Sequence, residues 1–449
     1  MLWNPRMETM PRAELQALQL RRLQEMMWRV YLRVPFYRRA LDAAGVRPGG
    51  VQRLEDLTRL PFTRKADFRD NHPFGLFAVP RQEVARLHAS SGTTGKLTVV
   101  GYTRADLAMW AEVCARCLGA AGAEPGDVFH NAAGYGLFTG GLGMHAGAER
   151  MGLTVVPASG GNTERQVLLL REFRPAVLHA VPSYALTLAE ALAAQGVNPA
   201  SLGLRAALLG AEPWTEAMRG PLEKGLHLKA MNNYGLSEVI GPGVACECIE
   251  AQDGAHIWED HFLSEVVDPE SGEPLPPGQV GELVFTTLTK EALPVLRYRT
   301  GDLASLRPGP CRCGRTMVRM SRVRGRTDDM LIVRGVNVFP SQVEAALVGL
   351  GELSPHYQLV VDRPGTLDTL EVRIEVSDDF VRAAGGRPAQ AKTDDLEDGA
   401  GRHAAERAAE RLHGILGIHA KVTLCAPGAL PRSEGGKLKR VEDRRHLQA

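Results

Sequence analysis

The chain has 449 residues, 44% of them hydrophobic and 23% charged, with a formal net charge of +1. This length exceeds what one compact core organises, so two or more domains are expected. Balanced charge excludes a dedicated nucleic-acid or membrane-surface protein, which needs a dominant basic field, and no apolar run is long enough to span a bilayer. The first dozen residues contain Trp3, Arg6 and Glu8 and no signal-peptide apolar stretch, which reads as a cytoplasmic protein.

Residues 12–45 place apolar side chains at three- and four-residue spacing, interrupted by Pro35, and predict two amphipathic helices with a break. From about 100 to 300, Val- and Leu-rich runs such as LTVVPAS and AVLHAVPS alternate with helical stretches such as ERQVLLLREF. Strands alternating with helices predict parallel α/β units. From about 265 the texture turns to strands and turns (SEVVDPESGEPLPPGQVGELVFTTL), a β-rich subregion closing the large domain. After GRTDD at 325–329 a finer β/α alternation begins, as for an α+β domain of roughly one hundred residues. Residues 383–401 are rich in Ala, Gly and Asp and read as a flexible surface insertion.

HASSGTTGKLTVVGYT at 88–103 sets two glycines, small hydroxyl residues and a lysine between apolar stretches. Small residues let backbone N–H groups curl around phosphate oxygens, and hydroxyls add donors. The spacing is not that of a Walker loop: no glycine stands five residues before Gly95, and Leu97 replaces the Ser or Thr that would hold magnesium. GYGLFTGG at 134–141 misses the dinucleotide fingerprint, its third glycine being one residue late. Taken by itself, the first segment also admits the lesser reading of an ordinary Gly/Ser/Thr turn.

Seven cysteines without a secretory context argue against a disulfide framework. Two C-x-C pairs, Cys246/Cys248 and Cys311/Cys313, with His256 nearby, suggest a structural zinc site, since thiolates and imidazole suit tetrahedral zinc. The first choice of ligands is Cys248, His256, Cys311 and Cys313, with Cys246 or His261 as replacements; reduced, unliganded cysteines are the alternative. Cys114 and Cys117 form a C-x-x-C inside an apolar-periodic helix, which reads as core rather than redox chemistry.

SSGTTGK at 90–96 resembles the phosphate loop of the adenylate-forming acyl-CoA synthetases, and four further motifs follow in that family's order. These are YGLSE (234–238), YRTGDL (298–303), GRTDDMLIVRGVNVFPSQVE (325–344) and PRSEGGKLKR (431–440). HASSGTTGK, NAAGYGLFTGGLGMHAGAERMG, HIWEDHF and TKEALPVLRYRT sharpen the resemblance to the phenylacetate–CoA ligase family. In one respect the chain departs from it: Gly301 precedes Asp302, where that family commonly has arginine.

The resemblance implies an α/β fold: a large N-terminal adenylate-forming domain, 1–327, of βαβ layers plus a small β-rich subregion. A small mobile α+β C-terminal domain, 328–449, then carries the catalytic lysine. It implies an ATP-dependent acid:CoA ligase that makes phenylacetyl-CoA or a related aryl-acyl-CoA through an acyl-adenylate. Another aromatic acid such as benzoate or aminobenzoate, or a carrier protein as acceptor, is the alternative, and a decayed fold kept for nucleotide binding is a third reading. ATP, coenzyme A and Mg2+ are implied, and the sequence leaves a homodimer open.

A carboxylate is a poor electrophile until its oxygen is joined to the α-phosphate of ATP, and that step builds charge which positive groups must meet. Lys437 is the implied catalytic residue, with Lys439 as its less favoured neighbour, and Asp328 the implied hinge. ATP or AMP would be held by Ser90, Ser91, Gly92, Thr93, Thr94, Gly95 and Lys96, and by Gly210, Ala211, Glu212 and Pro213. Asn233, Tyr234, Gly235, Ser237, Asp302 and Arg326 complete that set, Tyr234 offering a face to adenine and Asp302 accepting from ribose. Glu238 would hold magnesium, which takes oxygen ligands. Tyr135, Gly136, Phe138 and Gly141 would line the acyl pocket, aromatic walls suiting an aromatic acid.

Overall fold

In the computed structural model the described residues are 1–90, 97–137, 139–327, 331–334, 336–364, 367–396, 399–434 and 436–445. After a single helical turn at Pro5–Glu8, the helix Arg12–Arg33 buries Leu15, Leu18, Leu23, Met26, Met27 and Val30 along one stripe. Val34 then takes an extended conformation, as the residue before a proline tends to, and Pro35 opens the helix Pro35–Ala43. Thr103 starts the helix Arg104–Ala120 with a capping box: its hydroxyl accepts from Asp106 N–H at 3.0 Å and its own N–H donates to the Asp106 carboxylate at 2.9 Å. Cys114 and Cys117 lie in that helix, fully buried.

One sheet of nine strands organises the large region. Five parallel strands run in the spatial order Thr154–Val156, Val128–Asn131, Val177–Ala180, Ala206–Gly210 and Lys229–Leu236. Ile240–Cys246, Ala255–Ile257, Arg319–Met320 and Leu306–Arg307 extend it in antiparallel fashion. Val177–Ala180 and Ala206–Gly210 are buried at every residue because helices cover both faces of the sheet. Thr163–Phe173, Pro182–Ala194 and Glu216–Leu226 pack one core with Leu178, Ala207 and Leu209. Arg104–Ala120 and Gly140–Met151 pack a second with Phe129, Leu208 and Met231. A four-stranded antiparallel sheet, Phe262–Val267, Gly281–Thr287, Tyr298–Ala304 and Gly325–Arg326, is the β-rich subregion.

The C-terminal region has its own core, drawn from Leu331 to Leu424. Strands Lys421–Cys425, Thr369–Val376, Leu353–Asp362 and Val441–Asp443 form its sheet, with helices Pro340–Leu347 and Gly399–Leu416 against it. The expected flexible insertion at 383–401 is only partly so. Short 3-10 turns occupy Pro388–Gln390 and Thr393–Leu396, and residues from Gly399 onward begin the long helix, because Ala404, Ala408 and Leu412 recur at four-residue spacing and bury against the sheet. Among the described residues no helix is long and apolar enough to cross a membrane.

Candidate functional site

Open α/β sheets present ligand sites beyond the carboxyl ends of their strands, and the motif residues gather there. Gly210 ends its strand opposite Asn233. A Cβ on Gly210 would stand 2.1 Å from the Asn233 carbonyl oxygen, so only glycine allows the two strands this approach. Ala211 follows at φ 72°, a left-handed conformation that costs a non-glycine residue energy and recurs at functional turns. The turn then presents Glu212, whose carboxylate accepts the N–H of Ser183 at 2.6 Å and the N–H of Leu438 at 3.2 Å. Glu212 thus joins the start of the helix Pro182–Ala194 to the PRSEGGKLKR segment, and the side chain of Lys437, next to Leu438, is exposed there. Lys439 is exposed as well. Nearby, a Cβ on Gly161 would stand 3.3 Å from the Glu434 carbonyl oxygen, which lays the same segment over the loop that follows Val156.

Tyr234, Asp302 and Arg326 form one unit. The Tyr234 hydroxyl donates to Asp302 at 2.6 Å, and Arg326 donates to the other carboxylate oxygen at 2.5 Å. Burial, then the Asp302 charge, pushes the Tyr234 hydroxyl well above its ordinary range, so it stays a donor. Asn233 is buried, and among the described residues its side-chain oxygen has no hydrogen-bond partner. Ser237 and Thr139 place their hydroxyl oxygens 3.4 Å apart beside Glu238, which is 7% exposed.

Lys290 stands behind Glu238, and sequence reasoning did not single it out. Its ammonium is fully enclosed, donates to the Glu238 carbonyl at 3.0 Å and lies 5.1 Å over the ring of Tyr102. Burial pulls it down to about 8, with Asp106 and Glu238 pulling part of the way back. Its only signal in the sequence is a lysine set between the apolar stretches of VFTTLTKEALPVL.

Among the residues expected to line an acyl pocket, the Tyr135 hydroxyl accepts from Asn131 Nδ2 at 2.7 Å and lies 3.1 Å from His145 Nδ1. Asn131 also donates to the Gly141 carbonyl at 2.8 Å, and its oxygen lies 2.9 Å from Nδ1 of His179, which burial pulls down to about 4 and so keeps neutral. This network fixes the Tyr135 ring. Gly136 sits at φ 121°, and a Cβ on Gly141 would meet the Gly134 carbonyl oxygen at 2.7 Å, so both glycines shape the loop. The strands Arg86–Ser90 and Thr98–Tyr102 pair with Ser90 opposite Thr98, flanking the run expected to hold phosphate. Ser91, Gly92, Thr93, Thr94, Gly95, Lys96, Phe138 and Asp328, like the side chain of Ser90, lie outside the described residues.

Cys248, His256, Cys311 and Cys313 come together, their donor atoms all within 4.8 Å of one another. Cys248 Sγ lies 3.7 Å from Cys311 Sγ, and Cys313 Sγ 3.5 Å from His256 Nε2. Tetrahedral zinc with Zn–S of about 2.3 Å and Zn–N of about 2.05 Å requires edges of about 3.75 and 3.55 Å. The donor set therefore fits zinc in kind, and these two separations match its edges, the remaining ones lying within 4.8 Å. The two replacements are engaged elsewhere: Cys246 Sγ faces the carbonyls of Cys117 and Glu247, at 3.8 and 3.2 Å, and His261 lies 2.7 Å from Thr289 Oγ1 and 3.2 Å from Asp260.

Comparison with known proteins identifies the family. Residues 42–288 match the AMP-binding enzymes, and residues 335–445 the AMP-binding enzyme C-terminal domain. A phenylacetate-coenzyme A ligase of Thermus thermophilus is 61% identical over 447 residues, 99% of this chain and 100% of its own length. A crystal structure of 2-hydroxyisobutyryl-CoA ligase in the postadenylation state, in complex with R3-HIB-AMP, superposes with a TM-score of 0.90 at 32% identity, covering 99% of this chain and 93% of that one. The same ligase in the thioesterification state, with 2-HIB-AMP and CoA, covers equal shares of both chains at 33% identity with a TM-score of 0.71. The placement of the C-terminal region thus resembles the postadenylation state.

Proposed function

We propose the following assignment of roles for this chain, which belongs to the phenylacetate–coenzyme A ligases among the AMP-binding enzymes. The chain is an AMP-forming acid–thiol ligase. A carboxylate oxygen of phenylacetate or a related aryl acid attacks the α-phosphate of ATP, and pyrophosphate leaves. The thiol of coenzyme A then attacks the acyl carbon of the adenylate, AMP leaves with the bond electrons, and the thioester remains.

The roles follow from chemistry and place. Asp302, held by Tyr234 and Arg326, offers a carboxylate to the ribose hydroxyls. The turn Gly210–Pro213 and Tyr234 border the adenine. Tyr135 and the glycine loop to Gly141 border the aryl group, the ring being fixed from behind by Asn131 and His145. Lys437 meets the charge that grows on the α-phosphate during adenylation. Glu238, with the hydroxyls of Ser237 and Thr139 beside it, is the group that would hold magnesium; few protein oxygens suffice, because the phosphates complete the coordination. Bound there, magnesium supplies charge neutralisation to the departing pyrophosphate. Cys248, His256, Cys311 and Cys313 would hold a structural zinc, closed to substrate by its four protein ligands. A cytoplasmic location, where thiols stay reduced, completes the proposal.

The observation that carries this reading is the hydrogen bond from Leu438 N–H to Glu212, which delivers the lysine segment to the strand ends where the nucleotide motifs meet. Two measurements test it. Pyrophosphate release should require an aryl acid, and thioester should form when coenzyme A is added. Lys437→Ala should slow adenylation on the order of a hundredfold or more, while thioester formation from supplied phenylacetyl-adenylate continues. Release of pyrophosphate without thioester would move the acceptor to a carrier protein, and equal loss of both half-reactions would remove Lys437 from its role.

A further inference from the structure

The segment that carries Lys437 is fastened to the large domain at a second place, one the chemistry above does not use. Arg432, five residues before Lys437, grips the Glu375 carboxylate with two nitrogens at 2.7 Å each. Glu375 is buried and also accepts the N–H groups of Gly428 at 3.0 Å and Leu430 at 2.7 Å. The lysine segment is therefore built onto the C-terminal sheet as one piece. Across the domain boundary Glu190, in the helix Pro182–Ala194, accepts from the third nitrogen, Arg432 Nε, at 3.1 Å. Its other oxygen contacts Nε2 of His356, a residue 3% exposed and 166 positions away in the chain. The Glu190 carboxyl is held below its ordinary value by His356 and Arg432 against the opposing effect of burial.

We propose that Glu190 is a positioning residue for Lys437: by holding Arg432 and His356 it keeps the C-terminal domain in the arrangement that serves adenylation. This rests on the assignment of Lys437 given above. The contact belongs to the placement that resembles the postadenylation state of 2-hydroxyisobutyryl-CoA ligase (TM-score 0.90, against 0.71 for its thioesterification state). Because Arg432 and His356 both lie in the C-terminal region and Glu190 in the large one, a rotation of the C-terminal region as a body would part Glu190 from both. Strength decides whether such a contact helps. The Glu190 side chain is 47% exposed, so the pair is screened and weak rather than a fixed clamp. A contact that must open once per turnover should bias the two arrangements without trapping one, and a bias of about three- to tenfold, or roughly 0.6–1.4 kcal/mol, does that.

Single-turnover kinetics on the full chain test the proposal. Glu190→Gln should lower the rate of pyrophosphate release with ATP and phenylacetate, without coenzyme A, about three- to tenfold. Glu190→Arg, which repels Arg432, should lower it further. Thioester formation from supplied phenylacetyl-adenylate and coenzyme A should be unchanged or faster in both variants, a split that a merely structural role would not produce. Equal losses in both half-reactions, or no loss in either, overturn the proposal. Lys437→Ala measured alongside separates the two assignments. If it alone loses adenylation, Lys437 stands and Glu190 is not its positioning residue; if it slows both steps equally, the role of Lys437 falls and that of Glu190 with it.

Discussion

Replacing Cys311 with serine should empty the cysteine–histidine cluster and loosen the large domain around it. The observed separations of 3.7 Å between Cys248 and Cys311 and 3.5 Å between Cys313 and His256 lie within about 0.1 Å of the edges that tetrahedral zinc demands. The fold already gathers all four donors within 4.8 Å of one another, so much of the binding free energy goes into stability. Its size follows from the cross-link: Cys248 and Cys311 lie 63 residues apart, and closing a loop of that length in the unfolded chain corresponds to about 4 kcal/mol. At about 2 °C per kcal/mol for a large domain, the unfolding temperature should fall by about 8 °C. The segment just after Cys313 is also tied to the N-terminal region, through the buried Arg315–Glu8 pair at 2.7 Å and the Thr316 hydroxyl bond to the Met10 carbonyl at 2.9 Å. The variant should therefore still fold and keep its turnover at low temperature. Elemental analysis should find one zinc per chain in the parent and less than a fifth of that in Cys311→Ser, alongside the thermal shift. A parent with far less than one zinc per chain, and a variant that melts at the same temperature, would refute the reasoning.

Asp302→Asn should raise the KM for ATP about ten- to a hundredfold, the loss of charge-assisted hydrogen bonds to the ribose. A KM within twofold of the parent would remove Asp302 from the nucleotide site. Lys290→Met should change how stability depends on pH. The folded protein releases that proton near pH 8, whereas the unfolded chain holds it to about 10.5, so between those values the unfolded chain binds more protons and the parent gains stability as pH rises. The gain is at most about 1.4 kcal/mol per pH unit, and the methionine variant lacks it. Urea midpoints of the two proteins at pH 7.5 and 9.5 measure this, and a constant difference between them would mean that Lys290 does not titrate there.

The adenylation chemistry was legible without coordinates because it is written in short runs. Each of SSGTTGK, YGLSE, YRTGDL and PRSEGGKLKR is a short contiguous run whose residue types answer one demand of phosphate, ribose or carboxylate chemistry. The alternation of apolar runs and helical stretches likewise carried the parallel sheet, since strands covered on both faces have no polar side to show. The break at Pro35 was visible for a similarly local reason. The segment 383–401 is drawn a few residues too long: Gly399–Gly401 already belong to the helix that follows, whose Ala404 and Ala408 bury against the sheet, and only that burial marks where the helix begins.

Tertiary structure decided what depends on partners far apart in the chain. Spacing could not choose among Cys246, Cys248, His256 and His261; the choice came from where Ile240–Cys246 ends and which side chains already had partners. Lys290 looked like any charged residue near a turn until the fold enclosed it against Glu238 and Tyr102. Glu190 and His356, 166 positions apart, have no common signature, because a contact between two domains is set by how their surfaces meet. Sequence by itself determined which reactions the chain's groups can support. The fold determined which of those groups stand together, since proximity across a domain boundary leaves no periodicity in the chain to read.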